Sequence, residues 1–219
     1  FLFLLLFVTF TNVSAKRKTD PVLDFAKQQI EQKFYKPAVS TINSYLESHK
    51  NDKEGLYWKA YCFYKLENYI AAAETYTQVL KLDPRYFPAQ IDMANMLTKQ
   101  KKYSEALPYY NVAISFHDSD VNLLNSRGMC YYYADMFEPA IKDFKHVIKL
   151  DPNNYLAYNN KGSATYNNQN IATASLIDLQ AAEKDFNKAI ELKSDFELAY
   201  RNRGIVRYYM DKLDVAYKD

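Results

Sequence analysis

Apolar residues recur along most of this chain at helical rather than strand spacing. Between positions 53 and 86, Leu56, Lys59, Ala60 and Phe63 fall one turn apart. Glu67-Asn68 interrupts the stripe, and Ala72, Tyr76, Val79 and Leu80 resume it until Asp83-Pro84. Residues three and four apart share one face of a helix, and proline cannot continue one. The stretch therefore predicts two helices joined by a short turn.

The same two-helix pattern returns at a fixed interval. Ala72, Ala106 and Ala140 are each 34 residues apart, as are Gly128 and Gly162. Pro84 and Pro152, both in a Lys-Leu-Asp-Pro string, are 68 apart, and Gly204 follows Gly162 after 42, an interval longer by 8. Aromatics keep the beat at Tyr76, Tyr110, Phe144 and, past the insertion, Phe186. This register divides the chain into units 19–52 (divergent), 53–86, 87–120, 121–154, 155–196 and a truncated 197–219. The fifth unit carries the eight extra residues near 167–179, where Asn167–Asn170 reads as a loop and Leu176, Ile177 and Leu179 as the start of an elongated helix. A small residue at the eighth position of a unit (Ala60, Ala94, Gly128, Gly162, Gly204) is expected to face the alanine at the twentieth. Six prolines fall at unit or helix boundaries, whereas Pro108 predicts a weak first turn or a kink.

Composition agrees with an all-helical chain. Average glycine usage of about 7% would give roughly 15 glycines; the chain has 4, beside 21 tyrosines and 13 phenylalanines. That scarcity excludes a hairpin-rich fold and a glycine-rich phosphate loop. A net charge of +2 is nearly balanced, so no nucleic-acid partner is expected.

The repeat resembles the tetratricopeptide repeat family over residues 19–219. Val121–Asn154 matches it best, with Leu124, Gly128, Tyr131, Ala140, Phe144 and Pro152 in phase. The resemblance implies an all-α fold, an α-solenoid of antiparallel helix pairs wound as a right-handed superhelix. Neighbouring pairs stack because one pair cannot bury its own apolar face. It also implies a concave groove lined by the first helix of each unit, at positions two, five, nine, twelve and thirteen. Carried onto this sequence, the groove candidates are Tyr57, Tyr61, Tyr64, Asn95, Asn125, Met129, Tyr132, Asn159, Tyr166, Arg201 and Tyr208. Tyrosine offers broad rigid contact with a polar tip, and asparagine both donates and accepts hydrogen bonds. The expected function is a protein-interaction scaffold that binds a partner protein or extended peptide in this groove. Two alternatives are the recognition arm of a larger enzyme or sensor, and an envelope or outer-membrane assembly scaffold. A subclass that clamps a carboxyl terminus has Lys and Asn at positions five and nine of one unit. It adds Asn at six of the next, then Lys and Arg at two and six of the third; no three consecutive units here supply that set.

Catalytic chemistry is not evident. His49, His117 and His146 have no metal-ligand partner at ordinary spacing, and no nucleophile–histidine arrangement stands out. Glu183 and Asp185 read as a solvated helix face. No catalytic residue, metal or cofactor is expected, and the chain is read as a non-enzyme. Cys62 and Cys130 share position ten of units two apart. Helix layers stack at about 8–10 Å, whereas a disulfide tolerates at most about 7 Å between Cα atoms. They are expected to be core thiols.

Residues 1–15 are uncharged and apolar-rich, and Lys16-Arg17-Lys18 follows as a basic linker. Fifteen helical residues fall short of the roughly 20 that span a bilayer. They suit an N-terminally incomplete signal peptide, with Val13-Ser14-Ala15 as a cleavage site. Export across the cytoplasmic membrane, periplasmic or secreted, is the expected localisation, with no stable membrane span after cleavage.

Overall fold

The structure, a computed structural model, describes residues 20–168 and 175–210. The expected signal peptide and basic linker, part of the insertion and the end of the sixth unit lie outside the described residues. Among the described residues there are eleven helices and no strand. The odd-numbered helices are α1 (Pro21–Glu31), α3 (Lys53–Lys65), α5 (Phe87–Lys99), α7 (Val121–Tyr133), α9 (Tyr155–Asn167) and α11 (Glu197–Tyr209). The even-numbered ones are α2 (Tyr35–Ser48), α4 (Tyr69–Leu82), α6 (Tyr103–Phe116), α8 (Phe137–Leu150) and α10 (Leu176–Leu192).

Local chemistry sets the helix ends. Asp52 Oδ1 accepts from the Gly55 N–H at 2.7 Å, Asp120 Oδ1 from Asn122 and Leu123, and Asn154 Oδ1 from Ala157 at 3.0 Å. Each removes an orphan donor of the first turn. Between the helices of each of the first four pairs the chain turns through one left-handed residue: Lys33, Glu67, Lys101 and Asp135, with φ of 63°, 58°, 60° and 56°. The next N–H reaches back to close the turn, as Lys102 N does to Leu97 O at 2.9 Å. The left-handed residues are themselves 34 apart. None is glycine.

Each helix packs on its chain neighbours, which yields the α-solenoid. Odd-numbered helices also pack on one another, α1 on α3, α3 on α5, α7 on α9 and α9 on α11; no pair of even-numbered helices packs to that extent. The odd helices therefore form the closely spaced inner layer and the even helices the outer one. The buried aromatics Tyr76, Tyr110, Phe144 and Phe186 lie between the layers, at most 1% exposed.

Several details refine the expectations from sequence, and some correct them. The small residue at position eight faces an aromatic ring as well as an alanine: a Cβ on Gly162 would lie 2.9 Å from Phe186 Cε1 and 3.2 Å from the Ala182 carbonyl oxygen. Helix α6 runs through Pro108 from Tyr103 to Phe116. Asn167 closes α9 instead of opening the loop, and α10 has 17 residues where the other even-numbered helices have 14. Asp185 is not solvated: it is buried and meets Lys161 at 2.7 Å, and Glu183 meets Arg207 at 2.7 Å. The two units share this arrangement, since Arg127 holds buried Asp143 at the equivalent positions of the preceding pair. Cys62 and Cys130 are buried and free, and burial pushes the Cys62 thiol up to about 12. Of the described histidines, His49 stacks on Tyr45 with ring centres 4.3 Å apart, and His117 meets Phe87 edge-on at 3.8 Å. Among the described residues no group of His, Cys, Asp and Glu could hold a metal, and no helix is long and apolar enough to cross a membrane.

Candidate functional site

The inner face of α3, α5, α7, α9 and α11 carries the groove candidates, but their environments differ. Tyr57 is 9% exposed and its hydroxyl donates to Asp92 Oδ2 at 2.8 Å. Its ring packs on Trp58, Tyr76 and Tyr86. Burial raises its phenol above the ordinary range. Tyr57 thus joins the second and third pairs, and its side chain is not open to a ligand. The sequence reading placed it on the groove wall because Asp92, which holds it, lies 35 residues away.

Tyr61 and Tyr64 are half-buried, and the Lys65 ammonium sits 4.9 Å and 5.5 Å from their ring centres. Asn95 accepts from the Tyr110 hydroxyl at 2.8 Å, so its carbonyl serves the helix pair. Asn125 Oδ1 is buried without a hydrogen-bond partner. Asp92 is an inner-face carboxylate that the sequence reading missed. It accepts from Tyr57 and, at 3.4 Å, from Tyr76, and burial raises its carboxyl above the usual carboxylate range against those two bonds.

The structure brings the later candidates together. A cavity of about 400 Å³ opens between α7, α9 and α11. Met129, Tyr132, Asn159, Tyr166 and Arg201 line it, joined by Asn160, Ser163, Leu198, Asn202 and Ile205. Asn159 and Tyr166 are buried at its floor, 1% and 8% exposed, which limits them to the polar and aromatic bed beneath a ligand. Asn159 Oδ1 accepts from Asn202 Nδ2 at 3.0 Å, and Asn159 Nδ2 donates to Asn160 Oδ1 at 3.2 Å. Asn202 Nδ2 also reaches Ser163 Oγ at 3.3 Å. The Tyr132 hydroxyl accepts from Asn167 Nδ2 at 3.0 Å, and burial pushes its phenol up to about 12. Tyr208, 57% exposed, packs edge-on against Tyr209 outside this cavity. Asn160 and Asn202 occupy position six, which the groove register omitted, and both line this cavity.

Comparison with known proteins agrees with this architecture. Residues 121–154 match the tetratricopeptide repeat family model, and residues 31–113 match the model for anaphase-promoting complex, cyclosome, subunit 3. Hsp70-Hsp90 organizing protein of Triticum aestivum is 27% identical over 141 residues, 64% of this chain and 23% of that protein. Hsp70-Hsp90 organizing protein 3 of Arabidopsis thaliana is 26% identical over 134 residues, 61% of this chain and 23% of that one. The chain thus spans about a quarter of the length of these relatives. Among solved structures, YrrB, described as a TPR protein with an unusual peptide-binding site, superposes with a TM-score of 0.70 at 22% identity, over 82% of this chain and 88% of that one. MamA from Desulfovibrio magneticus RS-1 gives 0.69 at 22% identity, over 80% and 95%. The fold is an α-solenoid of the tetratricopeptide repeat type.

Proposed function

We propose that this chain is a protein-interaction scaffold that captures an extended segment of a partner protein along the inner face of α3, α5, α7, α9 and α11. The single observation that carries this reading is the cavity between α7, α9 and α11, where apolar side chains and amides converge on one concave surface. Relatives named for organising two other proteins, and a neighbour described by its peptide-binding site, support it. The reading assigns the chain no catalytic role. The apolar run at residues 1–15 before Lys16-Arg17-Lys18 supports export across the cytoplasmic membrane, which a signal-peptidase cleavage assay of the full chain tests.

Tyr61→Ala with Tyr132→Ala should keep the helical signal, lower the thermal midpoint because both rings are half-buried, and reduce partner capture measured well below that midpoint, since interface aromatics typically contribute about 2 kcal/mol or more each. His146→Ala and Lys142→Ala, on the outer helix α8, should leave capture intact. Capture is read by crosslinking and pull-down from extract of the source cells. Loss with the outer-helix variants and retention with the tyrosine variant would remove the groove from consideration.

A further inference from the structure

The cavity between α7, α9 and α11 has a charge pattern the rest of the inner face lacks. Its lining contains no carboxylate and one cation, Arg201. Arg201 is exposed, and no described hydrogen bond or ion pair engages it. The cations elsewhere on the inner layer are already engaged. Lys65 lies over Tyr61 and Tyr64, Lys99 pairs with Glu67 at 2.9 Å, Arg127 holds Asp143, and Lys161 holds Asp185.

The polar groups around Arg201 are held in place. Asn159 and Asn202 are 1% and 6% exposed and bonded to each other, and Asn159 fixes Asn160. Those bonds use Asn202 Nδ2 and Asn160 Oδ1, leaving the Asn202 carbonyl oxygen and the Asn160 amino group uninvolved. One amide acceptor and one amide donor, set on adjacent helices, match the donor and acceptor of an extended main chain. Beside them, Met129, Leu198 and Ile205 supply apolar wall, and a volume of about 400 Å³ accommodates a large apolar side chain.

Resting on the proposed groove function, the geometry points to an occupant of defined chemistry: an extended partner segment carrying an acidic side chain, set on Arg201, next to a large apolar side chain seated against Met129, Leu198 and Ile205. Arginine presents a planar fork of donors that a carboxylate meets with two bonds. Asn160 and Asn202 hold the main chain between the two side chains. The acidic group comes from within the segment, and its partner is the one unengaged cation among the described lining residues.

The test uses the full chain and an array of end-blocked, dye-labelled peptides, so that no terminal carboxylate is present. Paired positions carry Glu and Leu, Gln and Leu, or Lys and Leu. The native chain should retain the Glu–Leu set about tenfold better than the other two, the size of one charge-assisted hydrogen-bonded contact. Arg201→Gln should erase the difference, and Arg201→Glu should turn the preference to Lys–Leu. Unchanged thermal midpoints are expected in both variants, because Arg201 is exposed and has no ion-pair partner among the described residues. Retention of all three sets alike by the native chain, lost with Tyr132→Ala, would overturn the acidic assignment and leave the groove reading standing. A Glu–Leu preference that survives Arg201→Glu would overturn it equally. Retention of no set at all would overturn the assignment and count against the groove reading too.

Discussion

Phe144 stands over Gly128: a Cβ added to that glycine would lie 2.7 Å from Cε1 of the ring, inside any normal contact. Phe144 is fully buried, so the ring has no open space to move into. Gly128→Leu should therefore separate α7 from α8, at a cost of roughly 1–3 kcal/mol or more from overpacking. Urea and thermal midpoints check this. Combining Gly128→Leu with Phe144→Ala should cost less than the sum of the single changes, because the removed ring leaves room for the new side chain.

Arg127 and Asp143 tie the same two helices. The guanidinium donates from Nε at 2.8 Å and from Nη2 at 2.6 Å to the two carboxylate oxygens, and the Asp143 side chain is only 4% exposed. Asp143→Ala should cost about 3 kcal/mol, since it strands a partly buried cation. Replacing both, Arg127→Met with Asp143→Leu, should recover most of that loss. Denaturant unfolding of the three chains measures the difference; equal losses would show that the pair itself, and not the stranded charge, governs stability.

Asp92 predicts a pH dependence. Burial raises its carboxyl above the usual value in the folded chain, the largest effect acting there, while the Tyr57 and Tyr76 hydroxyls and the Lys65 charge oppose it. The folded chain then holds this proton at pH values where the unfolded chain has already released it, so the site's contribution to stability falls as pH rises through that window. Asp92→Asn keeps an acceptor for both tyrosines and has no proton to lose. Its thermal midpoint relative to the native chain should rise between pH 3 and pH 6, the region around and above the ordinary carboxylate value of about 3.9. A difference that stays flat or falls would show that the two tyrosine bonds outweigh burial.

Lys101 occupies a left-handed turn at φ 60° without being glycine. A side chain there costs of order 1 kcal/mol of backbone strain, which glycine avoids. Lys101→Gly should stabilise the chain by no more than about 0.6 kcal/mol, because the entropy glycine adds to the unfolded state, about 0.4–1 kcal/mol, offsets most of the relieved strain. Lys101→Val should destabilise it, as branching at Cβ makes the left-handed region worse. Both shifts are read as chemical-denaturation midpoints.

The two-helix unit and the all-α solenoid were legible because they depend on local spacing. Alanines and aromatics held at 34 residues put the same face inward in every pair, and a pair with one apolar stripe must stack. The left-handed turn was not legible, since Lys33, Glu67, Lys101 and Asp135 share a backbone conformation and no side-chain signature. The groove was legible only as a register. Position five reads alike at Tyr57, Asn125, Asn159 and Arg201, yet the first is buried against Asp92, the third is locked to Asn202, and the last stands exposed.

The amino-acid order by itself determined what each helix pair is and which face it turns inward, because those properties follow from residues three, four and 34 positions apart. Which inward-facing side chains remain open to a ligand was decided by the tertiary structure. Their partners come from the next helix pair, as Asp92 does for Tyr57 across 35 residues and Asn202 for Asn159 across 43. A side chain held by such a partner is closed off by stacking, and stacking acts between units rather than within one.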